Sequence, residues 1–174
     1  MYNRQSIRLR NYDYAQSGYY FVTICTYERI NMFGTIINNK IILNKFGIII
    51  ENVLKTLSTH HNVILDIYQI MPNHIHCILR IPICRGFARK TPTLFDKTQT
   101  NQNIYIISGS LSCIIRSFKS ETSKQIHQNI EPNIIVWQRN YFEHIIRNET
   151  EYREIRKYIA DNPKNWERDK NYND

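Results

Sequence analysis

Short runs of aromatic and β-branched residues alternate with polar stretches along this chain, a pattern typical of strands joined by turns. The first run, residues 19–30 (YYFVTICTYERI), predicts a buried strand. A second extended segment, residues 35–43, has a turn at Asn38-Asn39 and is expected to pair with the first. Residues 62–71 and 74–83 lie on either side of a Pro-Asn pair and predict two further strands.

Two segments carry the spacing of an amphipathic helix. Residues 45–59 follow Asn44, and asparagine is a residue type that commonly caps helix N-termini. Residues 109–127 place an apolar face towards the core and a basic face towards water. The apolar face consists of Leu111, Ile114, Ile115, Phe118 and Thr122, and the basic face of Arg116, Lys119 and Lys124.

The C-terminal third predicts a short strand at residues 133–138 (NIIVWQ) and then a helical tail from residue 141. The best helical segment is 149–161 (ETEYREIRKYIAD), and Pro163 ends it because the residue before a proline disfavours the α region. The predicted order β, β, α, β, β, α, β, α fits an α+β fold. We expect a ferredoxin-like antiparallel sheet with two helices on one face and an added C-terminal helix.

The composition of the 174 residues supports one folded unit. Hydrophobic residues make up 42% and charged residues 22%, so we predict a single domain over residues 1–174 rather than a disordered chain. Residues 85–107 are polar and basic at their start and show no period, which predicts a mobile basic loop. No apolar run is long enough to span a bilayer and no signal-type apolar region follows the N-terminus, so we expect a soluble intracellular protein with no membrane partner.

The charge balance favours a polyanionic partner. Lys and Arg number 23 against 15 Asp and Glu, which gives a net charge of +8. Nucleic acid is the first partner to consider for such a balance, although a basic surface can also serve solubility alone. The four cysteines form no CxxC pair, and the chain has no Gly-rich phosphate loop, so we expect no zinc knuckle and no nucleotide cofactor.

The most informative motif is MPNHIHCIL at residues 71–79. On a strand His74 and His76 share one face, and the apolar residues between and after them share the other. Two neutral imidazoles so placed can hold one divalent ion. The alternative is a pair of surface histidines. Whether or not the pair binds a metal, we expect replacement of either histidine to change the free energy of unfolding by no more than about 0.5 kcal/mol, because both imidazoles lie off the core face.

The last predicted helix offers a tyrosine and an asparagine one turn apart. Tyr158 and Asn162 share one helical face, beside an apolar stripe of Tyr152, Ile155 and Ile159 that would dock the helix. Taken alone this spacing is common by chance, and its plain interpretation is a tyrosine at the edge of a core.

Four segments in this order complete the picture: RQSIRLRNYDYAQSGYYFVTICTYERINMFG, MPNHIHCIL, GSLSCIIRSFKSE and WQRNYFEHIIRNETEYREIRKYIADNP. Together they resemble the REP-associated tyrosine transposases, which belong to the single-tyrosine HUH transposase superfamily. The resemblance covers residues 4–166 except for the segment 85–107. It implies that His74 and His76 are the HUH pair, that Tyr158 is the nucleophile and that Asn162 is the third metal ligand. Tyr152 is a rival nucleophile, ranked below Tyr158 because it lies on the docking stripe.

The resemblance also implies an activity. It implies Mg²⁺- or Mn²⁺-dependent cleavage and rejoining of single-stranded DNA with hairpin or repeat structure, through a 5′-phosphotyrosine intermediate. The implied enzyme is a transposase of the bacterial cytoplasm, associated with the nucleoid, and a monomer or a homodimer.

Basic residues are candidates for contacts with DNA phosphates, each against the alternative of a solvated charge. They are Arg4, Arg8, Arg10, Arg85, Arg89, Lys90, Arg116 and Lys119. Two other functions stay open at this point: a catalytically silent nucleic-acid-binding module of the same fold, and a metal-dependent hydrolase of small phosphoesters.

Overall fold

The computed structural model describes residues 17–82 and 110–172. Within these ranges the chain forms a four-stranded antiparallel sheet, a separate two-stranded hairpin and four α-helices. The strands are β1 (Gly18–Cys25), β2 (Gly34–Ile37), β3 (Lys40–Leu43), β4 (Ile64–Ile70), β5 (His74–Ile81) and β6 (Phe142–Ile146). The helices are α1 (Lys45–Lys55), α2 (Leu57–His60), α3 (Leu111–Asn129) and α4 (Glu149–Asp161). Short 3₁₀ segments cover Tyr27–Arg29 and Asn162–Arg168.

The strand order of the main sheet is β4-β5-β1-β6, and every neighbouring pair is antiparallel. This is the ferredoxin-like arrangement that the order of elements predicts. The larger core lies between this sheet and α1 with α3. From the sheet it takes Tyr20, Val22 and Ile24 of β1 and Ile75, Cys77 and Leu79 of β5, which alternate with residues that face the other way.

The second face of the sheet is covered by α4. Ile159 of α4 packs against Phe21, Ile78 and Ile146 in a smaller buried cluster. The helix is also fixed by polar contacts to β4, because the Tyr152 hydroxyl donates to Asp66 Oδ2 at 2.9 Å and Arg156 forms an ion pair with the same carboxylate. The helix that carries Tyr158 is therefore docked on the sheet of its own chain.

Two sequence predictions about strands are wrong. Residues 35–43 pair with each other and not with β1. Asn38 and Asn39 both have positive φ (50° and 60°) and join β2 to β3 in a tight hairpin. Residues 133–138 are not a strand. Trp137 makes one isolated bridge to Thr26, and its indole packs against Phe33 and Phe118 in the larger core.

The sheet takes its fourth strand from residues predicted to be helical. Phe142–Ile146 pairs with the free edge of β1, and the helical tail begins only after Asn148, whose side chain caps α4. The range of α4 and the buried face of α3 agree with the prediction. The first strand ends at Cys25, five residues early, because Glu28 and Arg29 turn the chain with positive φ (51° and 57°).

The basic loop predicted at residues 85–107 lies outside the described residues. Among the helices that are described, none has the length and apolar character needed to cross a bilayer.

Candidate functional site

The two histidines of β5 lie side by side on the α4 face of the sheet. Their Nε2 atoms are 3.0 Å apart, so the two imidazoles meet at one point as the motif predicts. Neither residue is exposed, however. The expectation that their replacement costs little stability is therefore wrong: α4 and the segment Asn162–Arg168 cover this face, and Trp166 packs against His74 with ring centres 5.9 Å apart.

The orientation of His74 is set by the preceding residue. Asn73 is fully buried, and its Nδ2 donates to the carbonyl oxygens of Arg29 (3.0 Å) and Asn171 (2.8 Å). Its Oδ1 must therefore face His74 Nδ1, 2.8 Å away, and accept a hydrogen from it. A neutral His74 with its hydrogen on Nδ1 carries its lone pair on Nε2, which is the form that binds a metal.

The imidazole of His76 is oriented by a residue of β1. His76 Nδ1 lies 2.9 Å from Thr23 Oγ1, and this hydroxyl can accept a hydrogen from Nδ1 or donate one to it. When Thr23 accepts, the Nε2 lone pairs of both histidines are directed at a common point. Burial lowers the pKa of both imidazoles, that of His74 to about 3, so both rings are neutral at neutral pH and available as ligands.

Tyr158 joins the histidine pair from α4. Its hydroxyl lies 3.1 Å from His76 Nε2 and donates to Asp169 Oδ2 at 3.0 Å. Burial and the Asp169 charge raise the pKa of Tyr158 above its ordinary value, so the phenol keeps its hydrogen. Tyr152, the rival from the sequence, has its hydroxyl in the Asp66 and Arg156 contacts that dock α4. Of the two tyrosines, only Tyr158 has a hydroxyl in contact with the histidine pair.

Asp169 is a site residue that the sequence did not reveal. It follows the 3₁₀ segment, and its Oδ1 accepts from the backbone N–H of Asn171 at 2.7 Å, which fixes the carboxylate. Its side chain is 1% exposed, with Oδ2 3.8 Å from His76 Nε2. Burial alone would raise the Asp169 pKa, but the contacts from His76 and Asn162 outweigh burial and hold it below its usual range. The carboxyl group is therefore ionised beside the two imidazoles.

Asn162 lies one turn after Tyr158, as predicted, and is 2% exposed. Its Nδ2 donates to Asp169 Oδ2 at 2.8 Å. Its Oδ1 is buried and has no hydrogen-bond partner among the described residues. A buried acceptor left without a donor costs about 1–3 kcal/mol, and a cation at this point would satisfy it.

These groups fit a divalent metal. The ligand atoms of His74, His76 and Asp169 lie within 4.8 Å of one another, so the three could hold one ion. Asn162 Oδ1 is a buried amide oxygen without a partner in the described part of the chain, and the same amide donates to Asp169. Two imidazole nitrogens with one or two oxygens suit several first-row divalent ions, Mn²⁺ among them.

A cleft of about 870 Å³ opens beside Tyr158. Its walls come from β6, α4 and the segment after α4, and Phe142, Lys157, Arg168 and Lys170 are among its lining residues. Tyr158 is 41% exposed and lines this cleft, so a ligand in the cleft can contact it.

The residues predicted to contact DNA either lie on α3, away from this site, or fall outside the described residues. Arg116 and Lys119 belong to α3, on the opposite face of the sheet from α4. Lys119 Nζ donates to the carbonyl oxygens of Gln138 and Asn140, and burial lowers its pKa to about 8. The other six candidates, Arg4, Arg8, Arg10, Arg85, Arg89 and Lys90, fall outside the described ranges.

Comparison with known sequences identifies one informative relative. No family model matches the chain. A protein of Haemophilus influenzae with no assigned function is 37% identical over 175 residues, which cover all of this chain and 96% of the relative. The chain belongs to the same family as this H. influenzae protein.

Comparison with solved structures identifies the fold. A REP-associated tyrosine transposase bound to a REP hairpin matches with a TM-score of 0.61 over 91% of this chain and 73% of that one, at 19% identity. The chain has the fold of the REP-associated tyrosine transposases. A proposed transposase of Deinococcus radiodurans matches 88% of the chain and 95% of its own length, with 13% identity and a TM-score of 0.48.

Proposed function

We propose that this chain cleaves and rejoins single-stranded DNA with hairpin or repeat structure, with Tyr158 as the nucleophile, as in DNA transposition. The observation that carries the proposal is the contact of the Tyr158 hydroxyl with His76, 3.1 Å from the nitrogen that faces His74. A tyrosine nucleophile beside a metal site is the arrangement that such a reaction needs. The fold, which is that of a transposase solved with a REP hairpin, supports the same function.

His74, His76 and Asp169 would hold the metal, with Asn162 Oδ1 as a further oxygen ligand. Mg²⁺ or Mn²⁺ held there would supply positive charge that offsets the negative charge of the scissile phosphate. A phosphodiester resists nucleophiles because of its negative charge, and that charge is what the metal offsets.

Tyr158 supplies the attacking oxygen. Its O–H donates to Asp169 Oδ2, and this hydrogen leaves the phenol as its oxygen attacks phosphorus and ends on the leaving O3′. The P–O3′ bond breaks, and the released strand keeps a 3′-hydroxyl while the other strand keeps a 5′-phosphotyrosine. A second 3′-hydroxyl can then displace the tyrosine, which restores the phenol without ATP.

All of these groups come from one chain. Contacts from Tyr152 and Arg156 to Asp66 dock the tyrosine helix on its own sheet. A single chain therefore carries both the nucleophile and the proposed metal ligands, and activity does not require exchange of helices between subunits.

The decisive experiment is detection of a covalent protein–DNA adduct. The full chain is incubated with a labelled single-stranded oligonucleotide that contains a hairpin, with Mg²⁺ or Mn²⁺, and separated under denaturing conditions. Wild type is expected to retain label, Tyr158→Phe to retain none while still binding DNA, and the matched control Tyr152→Phe to keep the adduct.

Two other outcomes would decide against the proposal. DNA binding with no adduct in wild type, across a panel of hairpins, would identify a silent binding module. Metal-dependent hydrolysis of a small phosphodiester with no adduct would identify a phosphoesterase instead.

A further inference from the structure

The cleft beside Tyr158 contains an aromatic cluster, of which the proposed cleavage chemistry uses only the Tyr158 hydroxyl. The rings of Phe142 and Tyr158 each lie close to that of Phe21, with centroid distances of 6.2 and 6.1 Å. Phe142 is 37% exposed, although phenylalanine is among the residue types most often buried. Its exposed surface belongs to the lining of the cleft.

Strand register places Phe142 at a defined distance from the proposed metal ligands. Phe142 pairs with Thr23, and Thr23 pairs on its other side with His76. These three residues form one row across the sheet with their side chains on the same face. Neighbouring strands are about 4.8 Å apart, so Phe142 lies about 10 Å from His76 across the sheet. One nucleotide can span such a distance between its phosphate and its base.

A cation already lies on the Phe142 ring. Lys170 Nζ is 5.0 Å from the ring centroid, and Lys170 follows Asp169 directly. With Lys157 and Arg168 it makes three cationic side chains in the lining of the cleft. A lysine next to an aromatic face combines a counter-ion for phosphate with a stacking surface for a base, as in single-strand binding sites.

Acidic residues also line the cleft, mostly with partners of their own. Glu151 pairs with His144 and accepts from the backbone of Arg147, and Asp161 pairs with Lys164. Glu154 is an exposed carboxylate on α4, and Asp169 accepts hydrogen bonds from Tyr158 and Asn162. The basic side chains of the segment after α4 therefore provide the positive side of the cleft, next to Phe142.

We propose that Phe142 and Lys170 form a subsite for one unpaired nucleotide adjacent to the scissile phosphate. The base stacks on the Phe142 ring, and Lys170 leaves the ring to pair with a phosphate of the same strand. The inference takes its substrate, single-stranded DNA, from the proposed function, and it adds the two residues that position this substrate.

Fluorescence of 2-aminopurine tests the stacking directly, because stacking quenches it. The probe is placed in turn at each unpaired position flanking the hairpin of an oligonucleotide, and the protein carries Tyr158→Phe so that the DNA stays intact. Quenching is expected at one or two positions. Adding Phe142→Leu should abolish it and weaken binding about fivefold to 150-fold, whereas adding Phe142→Trp should preserve both.

A matched control comes from the other side of the sheet. Phe46 of α1 also has a lysine on its ring, Lys45 Nζ at 5.7 Å, and Phe46→Leu should leave quenching and affinity unchanged. Lys170→Met should make the salt dependence of binding shallower by about 0.7 in log–log slope. Cooperative melting of Phe142→Leu shows that this variant is folded. If quenching at no position then depends on Phe142, the subsite does not exist. The same conclusion follows if Phe46→Leu has the same effect as Phe142→Leu.

The outcomes separate the subsite from the cleavage reaction. Phe142-dependent quenching without a covalent adduct in wild type would support the subsite and refute strand cleavage. An adduct that forms as fast in Phe142→Leu as in wild type, with unchanged quenching, would refute the subsite alone.

Discussion

Replacing Asn73 by alanine is expected to weaken metal binding and destabilise the fold together. The amide connects three parts of the site, because it donates to the carbonyl oxygens of Arg29 and Asn171 and accepts from His74 Nδ1. Alanine removes all three hydrogen bonds. His74 then has no partner on Nδ1 to keep its hydrogen there, and the lone pair on Nε2 is no longer fixed.

The size of both effects follows from burial. The bonds to Asn171 and His74 are buried, and a buried group left without its partner costs about 1–3 kcal/mol, so the free energy of unfolding should fall by about 2–6 kcal/mol. Removal of a group that orients a metal-binding histidine typically weakens metal affinity about 10- to 100-fold. We expect both losses in Asn73→Ala, and neither in Asn129→Ala, whose amide makes one exposed bond on α3.

Three measurements check this reasoning. Urea unfolding in the presence of a chelator gives the stability change, and calorimetric titration with Mn²⁺ gives the affinity. Nitrogen-15 NMR of the imidazoles shows which ring nitrogen of His74 carries the hydrogen. An Asn73→Ala protein with the hydrogen still on Nδ1 and Mn²⁺ affinity within twofold of wild type would refute the assigned role.

Three further predictions concern the site, its protonation and DNA binding. A mixture of Tyr158→Phe and His76→Ala proteins should not recover cleavage, because one chain supplies both groups; recovery would indicate sites shared between subunits. The lowered pKa values of His74 and His76 mean that the folded chain binds fewer protons than the unfolded chain below pH of about 6.5, so metal-free stability should fall on acidification towards pH 3, by up to about 1.4 kcal/mol per pH unit for each imidazole. Urea unfolding at several pH values checks this. The free energy of unfolding should depend less steeply on pH in His74→Asn and as steeply as in wild type in His60→Gln. Replacing Arg85, Arg89 and Lys90 together by alanine should make the log–log salt slope of DNA binding shallower by about 2, and an unchanged slope would exclude phosphate contacts by these residues.

The strand and helix patterns gave correct predictions where local signals agreed with tertiary packing. Asn44 caps α1 through Phe46 and Gly47 N–H groups, and the alternation through β5 correctly separates the histidines from Ile75 and Cys77. The residues of β6 were predicted to be helical, because FEHII is too short to show a clear period. They form a strand because they pair with the free edge of β1. Edge pairing is a tertiary effect that a local pattern does not contain.

The burial of the histidine pair is a second feature that a local sequence pattern does not contain. Period 2 in β5 correctly places both imidazoles off the main core, but it carries no information on what covers the second face. The cover is α4 together with Trp166, whose ring packs on His74 more than ninety positions away in sequence. Exposure at that face therefore follows from long-range contacts, and mutations there combine a chemical effect with a stability effect.

Asp169 marks the boundary of what spacing can reveal. Asn162 was assigned through the family resemblance, and it lies one helical turn from Tyr158, a spacing that the sequence fixes. Asp169 reaches the same point only because the chain leaves α4 in a 3₁₀ segment and turns back, with the Asn171 N–H holding Oδ1 and directing Oδ2 towards Tyr158 and Asn162. Nothing in a polar ERDKN stretch signals that return. The carboxylate that completes the proposed metal site is thus set by the path of the backbone after the helix, and the same path places Lys170 over Phe142. Changes to the turn at 169–171 should consequently alter metal binding and the nucleotide subsite together.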